Sequence, residues 1–211
     1  MPILLTYGDS NTHGTPPIVV RGAYHRHGPQ VRWPQVCARA LGPEWALAEE
    51  GLPGRTAQYD DPVMGAHMNG QGGLKIALQS HGPVDVMTLM LGTNDVKTRF
   101  AASPEAVVAG IAGLLDIALS VDMQARHGGF RVLLICPPPV EEVGPIAGEF
   151  FGGAARSRAL ATLYAALAAA RGVGFLDAGA LIRVSPLDGI HFDAAAHLAL
   201  GVAVSRAVQA L

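Results

Sequence analysis

The sequence predicts one α/β domain, residues 1–211, built on a doubly wound, flavodoxin-like five-stranded parallel sheet between two layers of helices. The chain has 211 residues, of which 50% are hydrophobic, and this is enough for one large core but short for two. Five apolar segments alternate with helical patterns along the chain, as in α/β folds. Three of the five are nearly continuous apolar runs, which is typical of parallel strands buried on both faces.

The strand candidates are short apolar segments followed by polar turns: 3–7 (ILLTY), 45–49 (WALAE), 84–91 (VDVMTLML), 131–136 (RVLLIC) and 173–177 (VGFLD). Helical periodicity falls between and after them, at 33–41, 70–81, 104–123, 155–171 and 193–210. Ser103 followed by Pro104 and Glu105 is a typical helix start, and Asp193 is predicted to cap the last helix.

Composition excludes several classes of function. The formal net charge is −2 with no basic run, which argues against a nucleic-acid partner. No apolar run approaches the roughly 18 residues of a membrane span, and the first residues lack the basic region of a signal peptide. Cys37 and Cys136 have no CxxC partner. A disulfide between them is the alternative, but buried free thiols are favoured, and a cytoplasmic location is therefore expected.

The segment GDSNTHG follows the first predicted strand and places Ser10 beside Asp9. Ligand sites of doubly wound sheets lie beyond the carboxyl ends of the strands, where this segment is expected. Taken alone, the segment fits an ordinary strand-to-helix loop as well as an exposed nucleophile.

The segment SPLDGIHF near the other end of the chain contains Asp188 and His191. A carboxylate three residues before a histidine can orient the imidazole, which leaves the second ring nitrogen free to take a proton from a hydroxyl. A capped turn before the last helix is the alternative. The segment follows the fifth strand, so it is expected on the same edge of the sheet as Ser10.

Acyl transfer also needs hydrogen-bond donors for a tetrahedral oxyanion. Asn94 ends a buried strand in LMLGTND, and Gly54 follows the second strand in EEGLPGRT. Each is more often a simple turn, but four strand ends together supply a hydroxyl, oxyanion donors and an acid–base pair. Ser10 does not lie in the GxSxG elbow of α/β-hydrolases, which indicates a different serine hydrolase architecture.

The blocks GDSNTHG, GLPGRT, LGTND and DGIHF, spanning residues 8–192 in this order, resemble the four blocks of the SGNH (GDSL-type) hydrolase family. VRWPQV and YDDP further resemble its bacterial arylesterase and acyltransferase branch. The resemblance implies the SGNH hydrolase fold and activity on small short-chain acyl esters, often with aryl leaving groups. It also implies no metal or other cofactor, and a homo-oligomer.

Site roles follow from the same resemblance. Ser10 is the expected nucleophile, and its own N–H is the first oxyanion donor. Gly54 N–H and the Asn94 amide are the second and third. His191 is the expected base and then the acid for the leaving alkoxide, while Asp188 orients His191.

The chain departs from the family pattern near the nucleophile. Asn11 replaces the usual leucine, and His13 and Thr15 stand where acyltransferase-type relatives tend to carry aromatics. These three residues are therefore expected to shape the substrate pocket. Phe150 and Phe151 lie in the loop 137–154 and are predicted to wall a pocket or an interface, with core packing as the alternative.

A second loop, 14–32, carries His25 and His27 on either side of Arg26. A metal contact is one reading, but no third ligand is evident and a solvated loop is favoured, so no metal is expected.

The leading functional hypothesis is a serine esterase acting through an acyl-Ser10 intermediate, with acyl transfer to alcohols as a second outcome. A carbohydrate acetyl esterase, or a thioesterase or lysophospholipase of the same fold, is the alternative. A non-catalytic flavodoxin-like module, with the first loop as an anion-binding turn, is the third reading.

Overall fold

The computed structural model describes all 211 residues and contains one five-stranded sheet. Its strands are β1 (Ile3–Gly8), β2 (Ala46–Gly51), β3 (Val86–Met90), β4 (Arg131–Cys136) and β5 (Gly174–Asp177). All neighbours pair in parallel, in the order β2-β1-β3-β4-β5. This is the strand order of flavodoxin-like folds, so the predicted fold class is confirmed.

The helices are α1 (Ser10–His13), α2 (Trp33–Leu41), α3 (Gly70–Ser80), α4 (Pro104–Ala118), α5 (Val121–His127), α6 (Gly153–Arg158), α7 (Leu160–Arg171) and α8 (Ala194–Gln209). Both predicted caps are present. The Ser103 side chain accepts from the Ala106 N–H at 3.2 Å, and Asp193 accepts from the Ala196 N–H at 2.8 Å.

Two predicted helices are each divided into two. The pattern at 104–123 becomes α4 and α5, because the Ser120 side chain accepts from the Met123 N–H and starts a new helix. The pattern at 155–171 becomes α6 and α7, with the break at Ala159. Near this break the Ser157 hydroxyl accepts from the Val140 N–H at 3.0 Å, which attaches α6 to the loop after β4.

Side chains alternate between two cores, one on each face of the sheet. Leu5 and Met87 point into the larger core, which is covered by α3, α4 and α7. Leu4 and Val86 point into the smaller core, which is covered by α2 and α8. The continuous apolar runs seen in the sequence are therefore the result of burial on both faces.

The edge strand β2 continues two residues beyond the predicted segment. Its acidic end is accommodated because Glu49 accepts hydrogen bonds from Arg32 at 3.0 and 2.9 Å. Glu50 in turn lies 2.8 Å from His81 Nε2. These polar partners let the ladder extend to Gly51, level with the end of β1.

Cys37 and Cys136 are both buried and free, as predicted. They belong to the two separate cores on opposite faces of the sheet, which keeps them apart.

No single helix has the length and apolar composition needed to cross a membrane; only α4 and α5 taken together pass such a test, and they are bent by 51°.

Candidate active site

Ser10 begins the one-turn helix α1 directly after β1. The Asp9 side chain caps this helix by accepting from the Asn11 N–H at 2.9 Å. Close packing under the turn depends on glycine, since a Cβ at Gly8 would collide with the Thr12 side chain. The strand therefore ends with Ser10 held at the carboxyl edge of the sheet.

A continuous hydrogen-bonded chain links three side chains predicted from the sequence. Ser10 Oγ lies 3.0 Å from His191 Nε2, and His191 Nδ1 lies 2.6 Å from Asp188 Oδ2. Ser10 and His191 are 5% and 4% exposed, and Asp188 is fully buried. This is the nucleophile–base–orienter geometry of a serine triad.

Asp188 is held by several donors. Its Oδ1 accepts from the N–H groups of Ile190 and His191, both at 3.0 Å, and its Oδ2 accepts from the Ile18 N–H at 2.7 Å. Burial alone would raise the pKa of Asp188, but its contact with His191 and these backbone donors lower it below the usual value. The carboxylate is thus kept ionised beside the imidazole.

Two residues that line the same cavity, Ser10 and Gly54, have backbone N–H groups without a partner in the protein. Neither the Ser10 N–H nor the Gly54 N–H makes a hydrogen bond. Gly54 has a φ of +92°, a left-handed conformation that residues with a side chain rarely adopt. Glycine is therefore required for the loop to present this N–H beside the serine.

Asn94 lines the same cavity as Ser10 and Gly54. Its Nδ2 donates to the Arg55 carbonyl at 3.0 Å and lies 3.5 Å from Asp9 Oδ2, a weak contact. One N–H thus fixes the amide, and the second is held only weakly.

Asp95 joins the Asn94 turn to the loop that carries Gly54. Its carboxylate accepts from the Ala57 N–H at 2.9 and 3.1 Å and is fully buried. Burial raises the pKa of Asp95 to about 7 and that of Asp9 to about 6. These two buried carboxyl groups hold the backbone near Ser10 and Gly54 in place, and neither lines the cavity.

The catalytic cavity, as we term the depression above Ser10, has a volume of about 200 Å³. Its lining is mainly apolar, with a few polar groups. The residues that line it are Ser10, Thr15, Ile18, Ala23, Tyr24, Pro53, Gly54, Met64, Asn94, Lys97, Ile146, Glu149, Phe150, Ile190 and His191.

The structure brings two of the five predicted substrate-binding residues to the catalytic cavity. Thr15 and Phe150 line it. Phe151 does not line it and is 74% exposed, so the prediction that both phenylalanines wall the pocket is corrected. The 3₁₀ turn Ala147–Glu149 ends at Phe150, whose N–H donates to the Ala147 carbonyl, and Phe151 lies beyond this turn.

Asn11 and His13 also lie outside the cavity lining. Asn11 Nδ2 donates to the Ile190 carbonyl at 3.1 Å and its Oδ1 accepts from the Phe192 N–H at 3.2 Å. Its amide therefore joins the nucleophile turn to the His191 segment, and the residue is buried away from substrate. His13 does not line the cavity itself. Its Nε2 lies 3.1 Å from the hydroxyl of Tyr24, which does line it.

The two histidines of the 14–32 loop differ in their surroundings. His25 is exposed, whereas His27 is half-buried and packs edge-on against His197, with ring centroids 5.2 Å apart. The description of this loop as solvated is therefore wrong for His27. No group of three or more His, Cys, Asp or Glu side chains is arranged to hold a metal ion.

Of the residues of the site that were not found from the sequence, four carry polar groups or contact Asp188: Ile18, Tyr24, Lys97 and Glu149. Lys97 lies one turn after Asn94, and its position in GTNDVK is the one signal that indicated it. The other three come from the long loops, whose paths no periodic pattern predicts.

Comparison with known proteins agrees with this geometry. Residues 6–199 match the model of the GDSL-like Lipase/Acylhydrolase family. A carbohydrate acetylesterase from Sinorhizobium meliloti is 35% identical, with a TM-score of 0.92 over 100% of this chain and 99% of that one. The native aryl esterase of M. smegmatis is 35% identical, with a TM-score of 0.92 over the whole of both chains.

A putative arylesterase from Agrobacterium tumefaciens is 39% identical, with a TM-score of 0.89 over 100% of this chain and 99% of that one. A comparison with curated protein sequences gives no match.

The fold and the site therefore define an SGNH-type hydrolase. The chain belongs to the GDSL-like lipase/acylhydrolase family and is a carboxylic ester hydrolase. The reading of the chain as a non-catalytic binding module is excluded by this assignment.

Proposed function

We propose that the protein hydrolyses small short-chain acyl esters through an acyl-Ser10 intermediate. The observation that carries the proposal is the chain of contacts from Asp188 through His191 to Ser10, at 2.6 and 3.0 Å. Ser10 Oγ attacks the ester carbonyl carbon while His191 Nε2 takes its proton. The tetrahedral intermediate expels the alkoxide, which receives that proton from His191.

Deacylation repeats the same steps with water. His191 takes a proton from a water molecule, the resulting hydroxide attacks the acyl carbonyl, and Ser10 leaves with the proton returned. In both halves the negative oxygen is stabilised by the N–H groups of Ser10 and Gly54 and by the Asn94 amide. The two unpartnered backbone donors support this role.

The size of the catalytic cavity supports a short acyl group. Its volume of about 200 Å³ is below the roughly 300–1,000 Å³ of sites that take drug-sized ligands. Phe150, Ile146 and Ile190 give it an apolar wall suited to acetyl-type acyl groups and to aryl or alkyl alcohols. The aryl esterase relative supports the same class of substrate.

A carbohydrate acetyl ester is the second candidate substrate. It is supported by the carbohydrate acetylesterase relative and by the polar groups Lys97 and Glu149 in the cavity. The long acyl chains of lysophospholipids are not favoured by so small a cavity.

The decisive experiment is active-site labelling with a fluorophosphonate probe, followed by mass spectrometry. The wild type should be labelled at Ser10, and Ser10→Ala should be neither labelled nor active with phenyl acetate. Ser205→Ala is the matched control, because Ser205 is equally buried but lies on α8, where its hydroxyl donates to the Val202 carbonyl. Labelling of Ser10→Ala to the wild-type extent would contradict the proposal.

We also propose that residues 1–211 act as one hydrolase domain that forms a homo-oligomer through the rim of the site. The loops at the carboxyl edge carry exposed apolar side chains, an arrangement typical of interfaces. They are Val19, Val20, Tyr24, Val63, Met64, Val143, Phe151 and Leu187. Sedimentation velocity should give a multimer for the wild type and smaller species for Val63→Glu; a monomeric wild type would contradict this.

The two free buried thiols support a reducing, cytoplasmic compartment. Fractionation of the source cells, followed by immunodetection, tests this location.

A further inference from the structure

Lys97 is the one lysine or arginine side chain that lines the catalytic cavity. It is 5% exposed, and its backbone N–H donates to the Asn94 carbonyl at 3.1 Å. The side chain therefore starts one turn beyond the proposed oxyanion donor, on the loop that follows β3. No step of ester hydrolysis proposed above uses it.

The ammonium group of Lys97 has unused donors. It carries three N–H groups but makes no hydrogen bond within the protein, since the Glu149 carboxylate is 3.8 Å away. The Glu149 oxygens already accept from Arg21 at 3.0 Å and from Arg99 at 3.3 Å. Because Lys97 lines the catalytic cavity, these donors are open to an acceptor there, which is either water or a polar atom of the substrate.

The charges around Lys97 favour an uncharged acceptor over an anion. Glu149 offsets the lysine charge, Arg99 is balanced by Asp61 at 2.8 Å, and the charge of Arg21 is screened by solvent because its side chain is 70% exposed. The Phe150 ring lies 5.6 Å from Lys97 Nζ and leaves an apolar surface beside the donors. An uncharged oxygen on an otherwise apolar chain can accept from Lys97 and pack against the Phe150 ring.

We propose that Lys97 donates a hydrogen bond to a hydroxyl oxygen on the alcohol arm of the ester, and so selects esters of hydroxylated alcohols over alkyl esters of equal length. Glu149, in the same cavity, is the neighbour that accepts from that hydroxyl. The inference rests on the proposed function, because with a short acyl group the alcohol arm is the part of the substrate long enough to reach Lys97.

The test uses three matched pairs of acetates. The monoacetates of ethylene, trimethylene and tetramethylene glycol are compared with propyl, butyl and pentyl acetate, in which a methyl group replaces the hydroxyl. For each pair the ratio of kcat/KM, hydroxylated over alkyl, is measured in the wild type, in Lys97→Met and in Lys97→Arg. The ratio cancels any general loss of rate in a variant.

At the chain length that reaches Lys97, the ratio should fall about tenfold in Lys97→Met, the size expected for a hydrogen bond from a charged donor. Lys97→Arg keeps donors at this place and should keep most of the preference. Lys97→Leu replaces Lys97→Met if the methionine variant does not fold.

An unchanged ratio at all three lengths, in a folded variant without the ammonium group, would overturn the role of Lys97. Such a result would leave the esterase assignment intact. A wild type inactive on all six acetates and on phenyl acetate would instead reject the proposed substrate class, and the inference with it.

Discussion

Ile18 and Asp188 are joined by a hydrogen bond of 2.7 Å, in which the Ile18 backbone N–H donates to the carboxylate oxygen that also contacts His191. The two residues are 170 positions apart in the chain. Ile18 also lines the catalytic cavity. One residue of the 14–32 loop therefore forms part of the substrate wall and holds the acid of the proposed triad.

Removal of this donor should slow the reaction. Ile18→Pro lacks the N–H but keeps an apolar side chain, so kcat should fall about tenfold or more, as expected when a hydrogen bond to a charged group is lost. Ile18→Ala is the control, because it trims the side chain and keeps the N–H. Steady-state kinetics with phenyl acetate and a thermal melt of each variant provide the comparison; equal kcat values for the two variants would rule out a role for the N–H.

The oxyanion assignment leads to a second prediction. Asn94→Ala should lower kcat by roughly 10²–10³ with little change in KM, because a donor that stabilises the transition state is lost from a site that excludes water. Circular dichroism and a melting curve are needed, since the amide also donates to the Arg55 carbonyl. An effect confined to KM would mean that Asn94 binds the ground-state ester.

The sequence predicts the sheet well because burial on both faces leaves a local signal: in β1, the neighbours Leu4 and Leu5 enter different cores. Ser10 and His191 are predicted for a related reason, since each follows a strand in a recognisable polar segment. The contacts of Asn11 with Ile190 and Phe192 leave no such signal, because they join positions about 180 residues apart.

Local backbone geometry accounts for the wrong prediction that Phe151 lines the pocket. Phe150 and Phe151 are adjacent and chemically identical, yet one is 2% exposed and the other 74%. Phe150 closes the turn Ala147–Glu149 through its N–H and Phe151 lies beyond it, and no periodic pattern in the sequence indicates this boundary.

The third prediction concerns the stability of the protein in acid and rests on His197. It is fully buried on α8, accepts from the Trp33 N–H at 3.3 Å, and packs against Phe192 with centroids 5.5 Å apart. Burial, followed by the nearby charges of His27, His191 and Arg32, lowers the pKa of His197 to about 3. The neutral ring is thus strongly favoured in the folded state.

In the unfolded chain a histidine takes up a proton near pH 6.5. Stability linked to neutral His197 is therefore present above about pH 6.5 and is lost progressively as the pH falls toward 3. His197→Gln cannot take up this proton. We compare the free energy of unfolding of the wild type with that of the variant. The wild type minus the variant should fall by about 1.4 kcal/mol for each pH unit below 6.5.

Urea denaturation of both proteins at pH 7, 6 and 5 measures this difference. The buried carboxyl groups of Asp9 and Asp95 are present in both proteins, so their contributions cancel in the comparison. Parallel pH dependences for the wild type and His197→Gln would show that His197 is not protonated differently in the two states.

The final prediction concerns the acceptor of the acyl group. Phe150, Ile146 and Ile190 give the catalytic cavity an apolar wall, which favours an apolar alcohol over water at the acyl-Ser10 ester. Thr15 also lines the cavity and brings a polar hydroxyl group to it. We therefore expect hydrolysis as the main reaction, with measurable transfer.

Vinyl acetate with a modest concentration of benzyl alcohol should yield acetate and a smaller amount of benzyl acetate, both counted by chromatography. Phe150→Ala should lower the ratio of benzyl acetate to acetate, because it removes part of the wall and admits water. Phe151→Ala is the matched control: the same substitution one residue later affects a ring that is 74% exposed, so the ratio should stay at its wild-type value. If acetate is the sole product in the wild type, or if both variants change the ratio equally, the apolar wall does not select the acceptor and the enzyme is a hydrolase alone.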